Sequence, residues 1–141
     1  MSSSSAIQRI VQPDGWKPTK GYANAVLAIG ASLYVAGQVG WNRDQVFERH
    51  DFIGQMEQAL ANIVEIVEAA GGTAAEIVRL TWYVTDKADY LANPKAVGQA
   101  YRRVMGQHFP TMTMVVVKAL VEDAALVEIE ATAVLPAAAL R

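Results

Sequence analysis

Two glutamates near the C-terminal end of the chain have the spacing that most suggests chemistry. The segment Val127-Glu128-Ile129-Glu130-Ala131 alternates apolar and acidic residues, which is the pattern of a half-buried β-strand. On a strand the two carboxylates would share one face, about 7 Å apart, since each residue rises roughly 3.3–3.4 Å. A carboxylate held there could act as a general acid or base. The alternative is a pair of ordinary solvated glutamates at the wet edge of a sheet.

Metal-dependent and nucleophilic catalysis have little support in the sequence. The chain has no cysteine, and its two histidines, His50 and His108, do not have the spacing of metal ligands. It also has no Gly-x-Ser-x-Gly motif, so a serine hydrolase triad is not indicated. The sequence therefore predicts no metal site.

Aromatic and basic residues could bind a ligand, but each set also has a structural interpretation. Large aromatic side chains are most often core or interface residues, and isolated arginines are most often surface cations. Ligand stacking and anion binding are the alternatives that stay open. The aromatic candidates are Trp16, Tyr22, Trp41, Trp82 and Tyr83, and the basic candidates are Arg79, Arg102 and Arg103.

The composition argues against nucleic-acid and membrane partners. The net charge is −2, so the chain lacks the basic surface that nucleic-acid binding needs. Met1 to Ser5 has no signal-peptide character, and no apolar run reaches the roughly 18 residues of a membrane span. We therefore expect a cytoplasmic protein. Hydrophobic residues make up 52% and charged residues 18% of the chain, which favours an oligomer over a small monomer.

The first predicted elements are two strands around a glycine. Residues 26–29 and 33–36 are apolar runs separated by Gly30 and two small residues, which predicts a β-hairpin. Gly37 and Gly40 follow the second run. Glycines at the end of a strand suggest a bulge or a backbone that is left open to close approach.

The rest of the chain is predicted as helix, strand, helix, strand and strand. Asp51 and Asn93 are suitable N-caps for the two helices, and Pro94 suits a first helical position. The apolar run over 114–117 predicts a strand that is buried on both faces. The predicted bounds are a helix over 52–70, a strand over 77–85, a helix over 94–105, and strands over 114–117 and 127–131.

These elements predict one α+β domain over residues 1–141, with two helices on one face of a mixed sheet. Residues 1–15 are expected to be a partly flexible N-terminal segment. The other face of the sheet also carries valine and isoleucine, so it too needs cover. We expect a partner subunit to supply that cover.

Five segments, in order, resemble the Rid/YjgF family. They correspond to its opening tyrosine motif and Ser-Gly-Gln strand, its first helix, its central strand and its closing segment. The resemblance extends from about residue 21 to residue 134. The matching segments are 21–26 with 33–38, Gln55 with Asn62 and 68–72, 77–86, Phe109 with Pro110, and 127–131.

The resemblance implies a chorismate-mutase-like fold of the bacillary type, assembled as a homotrimer with three clefts that take a small-molecule ligand. It also implies hydrolysis of reactive enamines or imines with release of ammonia and without any cofactor. In that family an arginine clamps the substrate carboxylate and a glutamate positions or activates water. The glutamate corresponds to Glu128, the tyrosine to Tyr22, and the Ser-Gly-Gln backbone to Gly37.

The chain departs from the family pattern at three positions. Met112 stands where the family has its arginine, Met114 replaces the usual cysteine, and Gly98 replaces an asparagine before the helix tyrosine. A thioether cannot reproduce the bidentate contact of a guanidinium with a carboxylate. The glutamate for water is therefore retained and the substrate clamp is not.

Two functions follow from this combination. The first is a hydrolytic deaminase of a small enamine or imine, such as an amino-muconate-type acid, with Glu128 handling the water and another arginine replacing the clamp. The second is a non-catalytic homotrimer that binds a small apolar or aromatic metabolite beside Met112 and Met114, because methionine fills irregular pockets. A ribonuclease or translation inhibitor is disfavoured by the acidic charge balance and the lack of a histidine pair.

Overall fold

Six strands and three helices form within residues 7–141, the part of the chain that this computed structural model describes. One-turn 3₁₀ helices follow α1 and β6, at Ala74–Glu76 and Ala137–Leu140. The helices are α1 (Phe52–Ala69), α2 (Lys87–Leu91) and α3 (Pro94–Met105). The strands are β1 (Ile7–Val11), β2 (Ala25–Ile29), β3 (Ala31–Val39), β4 (Ile77–Val84), β5 (Thr111–Val116) and β6 (Val127–Leu135).

Four strands form a mixed sheet in the order β3-β6-β4-β5. β6 is antiparallel to both of its neighbours, whereas β5 runs parallel to β4. The helices α1 and α3 pack together on one face of the sheet, where their apolar side chains join those of the strands in a single core. The predicted mixed sheet with two helices on one face is therefore confirmed. The short helix α2 was not predicted.

Alternation along the central strands decides which side chains enter the core. In β6 the odd-numbered residues are buried up to Leu135, while Glu128 and Glu130 remain half-buried. In β4 the same alternation buries Trp82 and exposes part of Tyr83. Burying the apolar set against the helices supplies the main favourable free energy of folding. The opposite set, which includes both glutamates, lies on the face that the helices leave open.

The predicted helix ends are confirmed in detail. Asp51 caps α1 by accepting a hydrogen bond from the backbone N–H of Gly54 at 2.9 Å. Asn93 caps α3 by accepting one from the N–H of Ala96 at 3.1 Å, and Pro94 occupies the first position of that helix. These caps satisfy N–H groups that have no partner inside a helix. The Asn93 cap also fixes where α3 starts.

The predicted hairpin over 26–36 is wrong. β2 pairs with β1 in a separate two-stranded antiparallel sheet, whereas β3 pairs with β6. Only Gly30 separates β2 from β3, which is too short a connection for a hairpin turn. A Cβ at Gly30 would overlap the carbonyl oxygen of Leu135, so the glycine allows the chain to pass closely over the end of β6 as it changes sheets. Of the N-terminal segment 1–15 that was expected to be partly flexible, residues 1–6 fall outside the described residues, and the strand β1 within it was not foreseen.

The prediction that the run 114–117 is buried on both faces is also wrong for this chain. β5 is an edge strand with β4 as its neighbour on one side. Val115 is 42% exposed and Val116 is 54% exposed. On the open face, to which Val115 belongs, Tyr34 of β3 is 76% exposed. A single chain therefore leaves part of the apolar surface of β5 exposed.

Gln55 is a buried polar side chain that joins α1 to the loop before β6. It has no solvent exposure. Its amide nitrogen donates to the carbonyl oxygens of Arg49 and Ala124, and its amide oxygen accepts from the N–H of Leu126 at 2.7 Å. Because every polar atom of the amide is paired, its burial is tolerated. The contact holds the chain in place immediately before the strand that carries Glu128.

Candidate functional site

Glu128 lies on the open face of the sheet, between β3 and β4. Its register partners are Val39 and Tyr83. The pairing of β3 with β6 shifts between Val35 and Gln38, which marks a bulge. Gly37 lies in this bulge, and a Cβ added to it would lie 2.8 Å from the carboxyl carbon of Glu128. The glutamate carboxylate therefore rests against bare backbone, and the structure brings together two residues that the sequence had singled out.

The second glutamate of the strand has a different environment. The hydroxyl of Tyr83 donates a hydrogen bond to Glu130 Oε1. Over residues 7–141 no hydrogen-bond donor contacts the carboxylate of Glu128. The two carboxylates share one face, as the alternation predicts, but of the two only Glu128 has both oxygens without a hydrogen-bond donor among the described residues. This difference separates the candidate catalytic residue from its neighbour.

The bond between Tyr83 and Glu130 has a measurable consequence at high pH. It raises the pKa of Tyr83 above the ordinary value of 10.0, because an ionised phenol could not donate to the carboxylate. Replacing Glu130 by glutamine should lower that pKa towards the ordinary value. A pKa that is raised on folding favours the protonated folded state. The bond between Tyr83 and Glu130 therefore stabilises the folded state fully at any pH below the unfolded-state pKa of Tyr83. That stabilisation is lost as the pH rises through the folded-state pKa of Tyr83.

The measurement is an alkaline titration of tyrosine absorbance in the wild type and in Glu130→Gln. Tyr83→Phe in each background identifies the contribution of this one tyrosine. Identical Tyr83 midpoints in the two backgrounds would show that the bond does not hold in solution.

Met112 and Met114 lie on the other face of the sheet. In the pairing of β5 with β4, Met112 is opposite Leu80 and Met114 is opposite Trp82. Leu80 and Trp82 are core residues, and both methionines pack against that core. Glu128 is aligned instead with Tyr83, which alternates to the open face. Within one chain, therefore, the methionines and the glutamate belong to opposite sides of the sheet.

Met112 lines a cavity of about 320 Å³ between the sheet and the helices α2 and α3. A cavity of this size is in the range that accommodates a small organic ligand. Trp82 and Tyr90 meet edge to face in its wall, with ring centroids 6.4 Å apart. Further along the wall, Tyr101 and Phe109 stack with centroids 5.3 Å apart. The lining is therefore mostly aromatic and aliphatic.

The tyrosine of the second stacked pair has a structural role. The hydroxyl of Tyr101 donates to the carbonyl oxygen of His108 at 2.6 Å, and burial raises the pKa of Tyr101 well above its ordinary range. His108 in turn places Nε2 2.7 Å from the carbonyl oxygen of Ile77. These contacts hold the segment before β5 against the helix. They also use His108 in the fold rather than as a ligand.

Three arginines were candidates to replace the missing clamp, and the structure separates them. Arg79 lies on the open face, 3.4 Å from the hydroxyl of Thr132. Arg103 makes a bidentate contact with Glu57, at 2.8 and 3.1 Å, which holds the pKa of Glu57 below its ordinary value. Arg102 is the one that lines the cavity beside Met112. It is exposed, and no carboxylate of the described chain pairs with it.

Tyr22 lies beside the edge strand rather than near Glu128. The next residue, Ala23, forms a bridge to Thr111 and donates to the carbonyl oxygen of Pro110 at 3.1 Å. Tyr22 itself is 40% exposed. The preceding Gly21 lines the Met112 cavity. The predicted site residues thus fall into two groups, Glu128 with Gly37 on one side and Tyr22 with the two methionines on the other.

Several features of this site had no clear signal in the sequence. The wall formed by Tyr90 was missed because the five-residue helix α2 is too short to show helical periodicity. Gly98 and Arg102 are four residues apart, a spacing that places them on one face of a helix. That spacing was the one signal in the sequence that could have indicated that Arg102, rather than Arg103, lies beside Gly98 in the cavity wall.

Other ligand types find less support among residues 7–141. No group of three or more histidine, cysteine, aspartate or glutamate side chains there could hold a metal ion. No helix in that range is long and apolar enough to cross a membrane. Trp41, another stacking candidate, lines a separate depression of about 310 Å³ beside α1.

Comparison with known proteins identifies the family. A family model described as endoribonuclease L-PSP matches residues 13–135. A 2-iminobutanoate/2-iminopropanoate deaminase from Capra hircus is 32% identical over 133 residues, which are 93% of this chain and 93% of that protein. A RutC family protein from Haemophilus influenzae is 34% identical over 113 residues, 80% of this chain and 85% of that protein.

A solved structure gives the same assignment. A protein of unknown function from Yersinia pestis, described as a member of the conserved Rid protein family, superposes with a TM-score of 0.81. It is 34% identical, and the match covers 91% of this chain and 98% of that one. The sequence motifs, the mixed sheet and these relatives agree, and the chain belongs to the Rid/YjgF family.

Proposed function

We propose that the protein is a cofactor-independent hydrolase of a small imine or enamine carboxylate, and that Glu128 manages the attacking water. The observation that carries the proposal is the position of the Glu128 carboxylate against the bare backbone of Gly37. The carboxylate lies on an uncovered sheet face and has no hydrogen-bond donor among the described residues. Relatives named as imine deaminases support the same reaction type.

The chemistry needs one proton acceptor and one water. As the water oxygen attacks the imine carbon, Glu128 takes a proton from it and passes that proton to the nitrogen. In the resulting carbinolamine the hydroxyl proton moves to the nitrogen as the C–N bond breaks, which releases ammonia and leaves a carbonyl compound. One water is thus consumed for each ammonia released. A positioned carboxylate typically contributes about 100- to 10,000-fold to such a proton transfer. No metal or redox step is required by this balance.

A second copy of the chain would complete the site. Glu128 and Gly37 lie on the open face, while Met112, Met114 and Tyr22 lie at the other side or at the β5 edge. A cleft that uses both groups therefore needs residues from two copies. The exposed valines of β5 and the exposed Tyr34 support burial of this region in an oligomer. We propose the homotrimer that the family resemblance implies, with a ligand bound in each of three clefts.

Binding without catalysis is the second candidate function. The observation that favours it is the aromatic cavity beside Met112, in which a thioether replaces the expected guanidinium. A small apolar or aromatic metabolite would fit such a lining. We do not propose an RNA-cleaving function, because the chain has a net charge of −2 and lacks a basic surface for phosphates.

Ammonia release from an imine generated in the assay tests the hydrolase. We expect the protein to accelerate the release of ammonia from 2-iminopropanoate or from a conjugated amino-muconate-type acid. Light scattering on the same sample should give the mass of three chains. Background rates with all imines would contradict the hydrolase and leave the binding function, and a monomer would contradict the shared cleft.

A further inference from the structure

The wall of the Met112 cavity includes Trp82, whose ring has one unpaired polar group. The indole Nε1–H of Trp82 is buried and has no hydrogen-bond partner within the described chain. Trp82 is 2% exposed and lines the cavity. An unpaired buried donor costs free energy, and buried polar groups are nearly always satisfied.

The mouth of the same cavity carries a positive charge. Arg102 is the one charged residue among the described residues that line it. Its guanidinium bends back along α3 over Gly98, with Nη1 3.1 Å and Cζ 3.7 Å from the place where a Cβ on Gly98 would be. A larger side chain at position 98 would occupy that space. The glycine therefore allows the guanidinium to lie beside the cavity.

Arg102 differs from its neighbour in being available to a ligand. Arg103, one residue later on the same helix, is already paired with Glu57 at 2.8 Å. Arg102 has no such partner in the described residues. A guanidinium at the entrance of an apolar cavity is suited to a carboxylate, which it can contact through two parallel hydrogen bonds.

We propose that this cavity binds a small aromatic carboxylate, with Arg102 as the counter-ion of the carboxylate. The aromatic body of the ligand lies among Trp82, Tyr90, Tyr101, Phe109 and Met112. The charge that fixes the ligand thus comes from α3 rather than from β5. For its link to hydrolysis this inference rests on the proposed function, but the binding can be measured without any reaction.

Titration calorimetry with unreactive probes tests the proposal on the full chain. The probes are 4-hydroxyphenylacetate, phenylacetate and 4-hydroxyphenylacetamide. We expect 4-hydroxyphenylacetate and phenylacetate to bind more tightly than the amide, because only these two probes carry a carboxylate for Arg102. Arg102→Gln should weaken the binding of 4-hydroxyphenylacetate about 10- to 100-fold, as expected for the loss of a charge-assisted contact. Binding of the amide should be weak and unchanged by this substitution.

Arg103→Gln is the matched control, because it removes a guanidinium from the next position without touching the cavity. It should change the affinity less than about twofold. Gly98→Asn should weaken binding as Arg102→Gln does, because its side chain takes the space of the guanidinium. Equal affinities of the wild type and Arg102→Gln for the carboxylate, or no binding of either acid, would overturn the proposal.

Glu128→Gln separates this inference from the proposed hydrolysis. We expect that variant still to bind 4-hydroxyphenylacetate, and Arg102→Gln to weaken that binding as it does in the wild-type background. If ammonia release is absent while binding depends on Arg102, the ligand site stands and the hydrolase fails. If ammonia is released equally fast by the wild type and Arg102→Gln, the hydrolase stands and the assignment of Arg102 fails.

Discussion

Replacing Glu128 by glutamine is expected to lower kcat/KM for imine hydrolysis by about 100- to 10,000-fold. Glutamine keeps the shape of the side chain and its place against Gly37, but it cannot accept the proton of the attacking water. Because Glu128 is half-buried on the open face, the fold should tolerate the change. Ammonia release under conditions of limiting imine gives the ratio directly.

Glu130→Gln is the control for this experiment. It alters the same strand face two residues away, and it removes a carboxylate that Tyr83 already contacts. We expect it to retain activity within about tenfold of the wild type. Equal losses in the two variants would indicate a general effect of charge on this face. Full activity of Glu128→Gln would exclude the proposed role of Glu128.

Substituting alanine for Gly37 is expected to lower kcat/KM by about 100-fold with little change in the thermal unfolding midpoint. The added methyl group would overlap the Glu128 carboxylate, and a long flexible side chain yields more easily than backbone does. Gly37 is not among the glycines with positive φ, so alanine can adopt its backbone conformation. A displacement of about 1 Å in a catalytic group can by itself cost about 100-fold in rate.

The double variant Gly37→Ala/Glu128→Gln distinguishes displacement from other effects. If the alanine acts by moving the carboxylate, the double variant should be no slower than Glu128→Gln alone. If the losses of kcat/KM in the two single variants multiply in the double variant, Gly37 instead has a role of its own, such as backbone contact with the substrate. A large drop in the unfolding midpoint would contradict the expectation that the bulge accepts a side chain.

Local signals in the sequence were sufficient for the two long helices, α1 and α3, but not for strand pairing. The N-caps Asp51 and Asn93 are set by neighbouring residues, and both helices start where their caps predict. The hairpin around Gly30 failed because the choice between β1 and β3 as partner of β2 depends on residues far along the chain. The apolar run of β5 failed for a related reason, since its burial depends on what covers an edge strand.

In the candidate site, too, local sequence signals predicted some features, whereas others depend on residues that are distant in the chain. Alternation along β6 predicted that Glu128 and Glu130 share a face, and the glycines after the run 33–36 predicted a bulge or a close approach of backbone, which the structure has at Gly37. Nothing local could show that Tyr83 contacts one glutamate and leaves the other free. Nor could spacing alone show that Met112 is aligned with the core residue Leu80 and so faces away from Glu128.

The parallel pairing of β4 with β5 has a consequence for how this protein can change. Parallel neighbours need a long crossover, and here residues 85–110 provide it. That one segment supplies Tyr90, Gly98, Tyr101, Arg102 and Phe109, most of the wall of the cavity. The sheet face that carries Glu128 takes none of its residues from this stretch. Substitutions or insertions in this one crossover segment can therefore redirect ligand choice while the carboxylate that we propose to handle the water is left untouched, which makes specificity and chemistry separately evolvable in this fold.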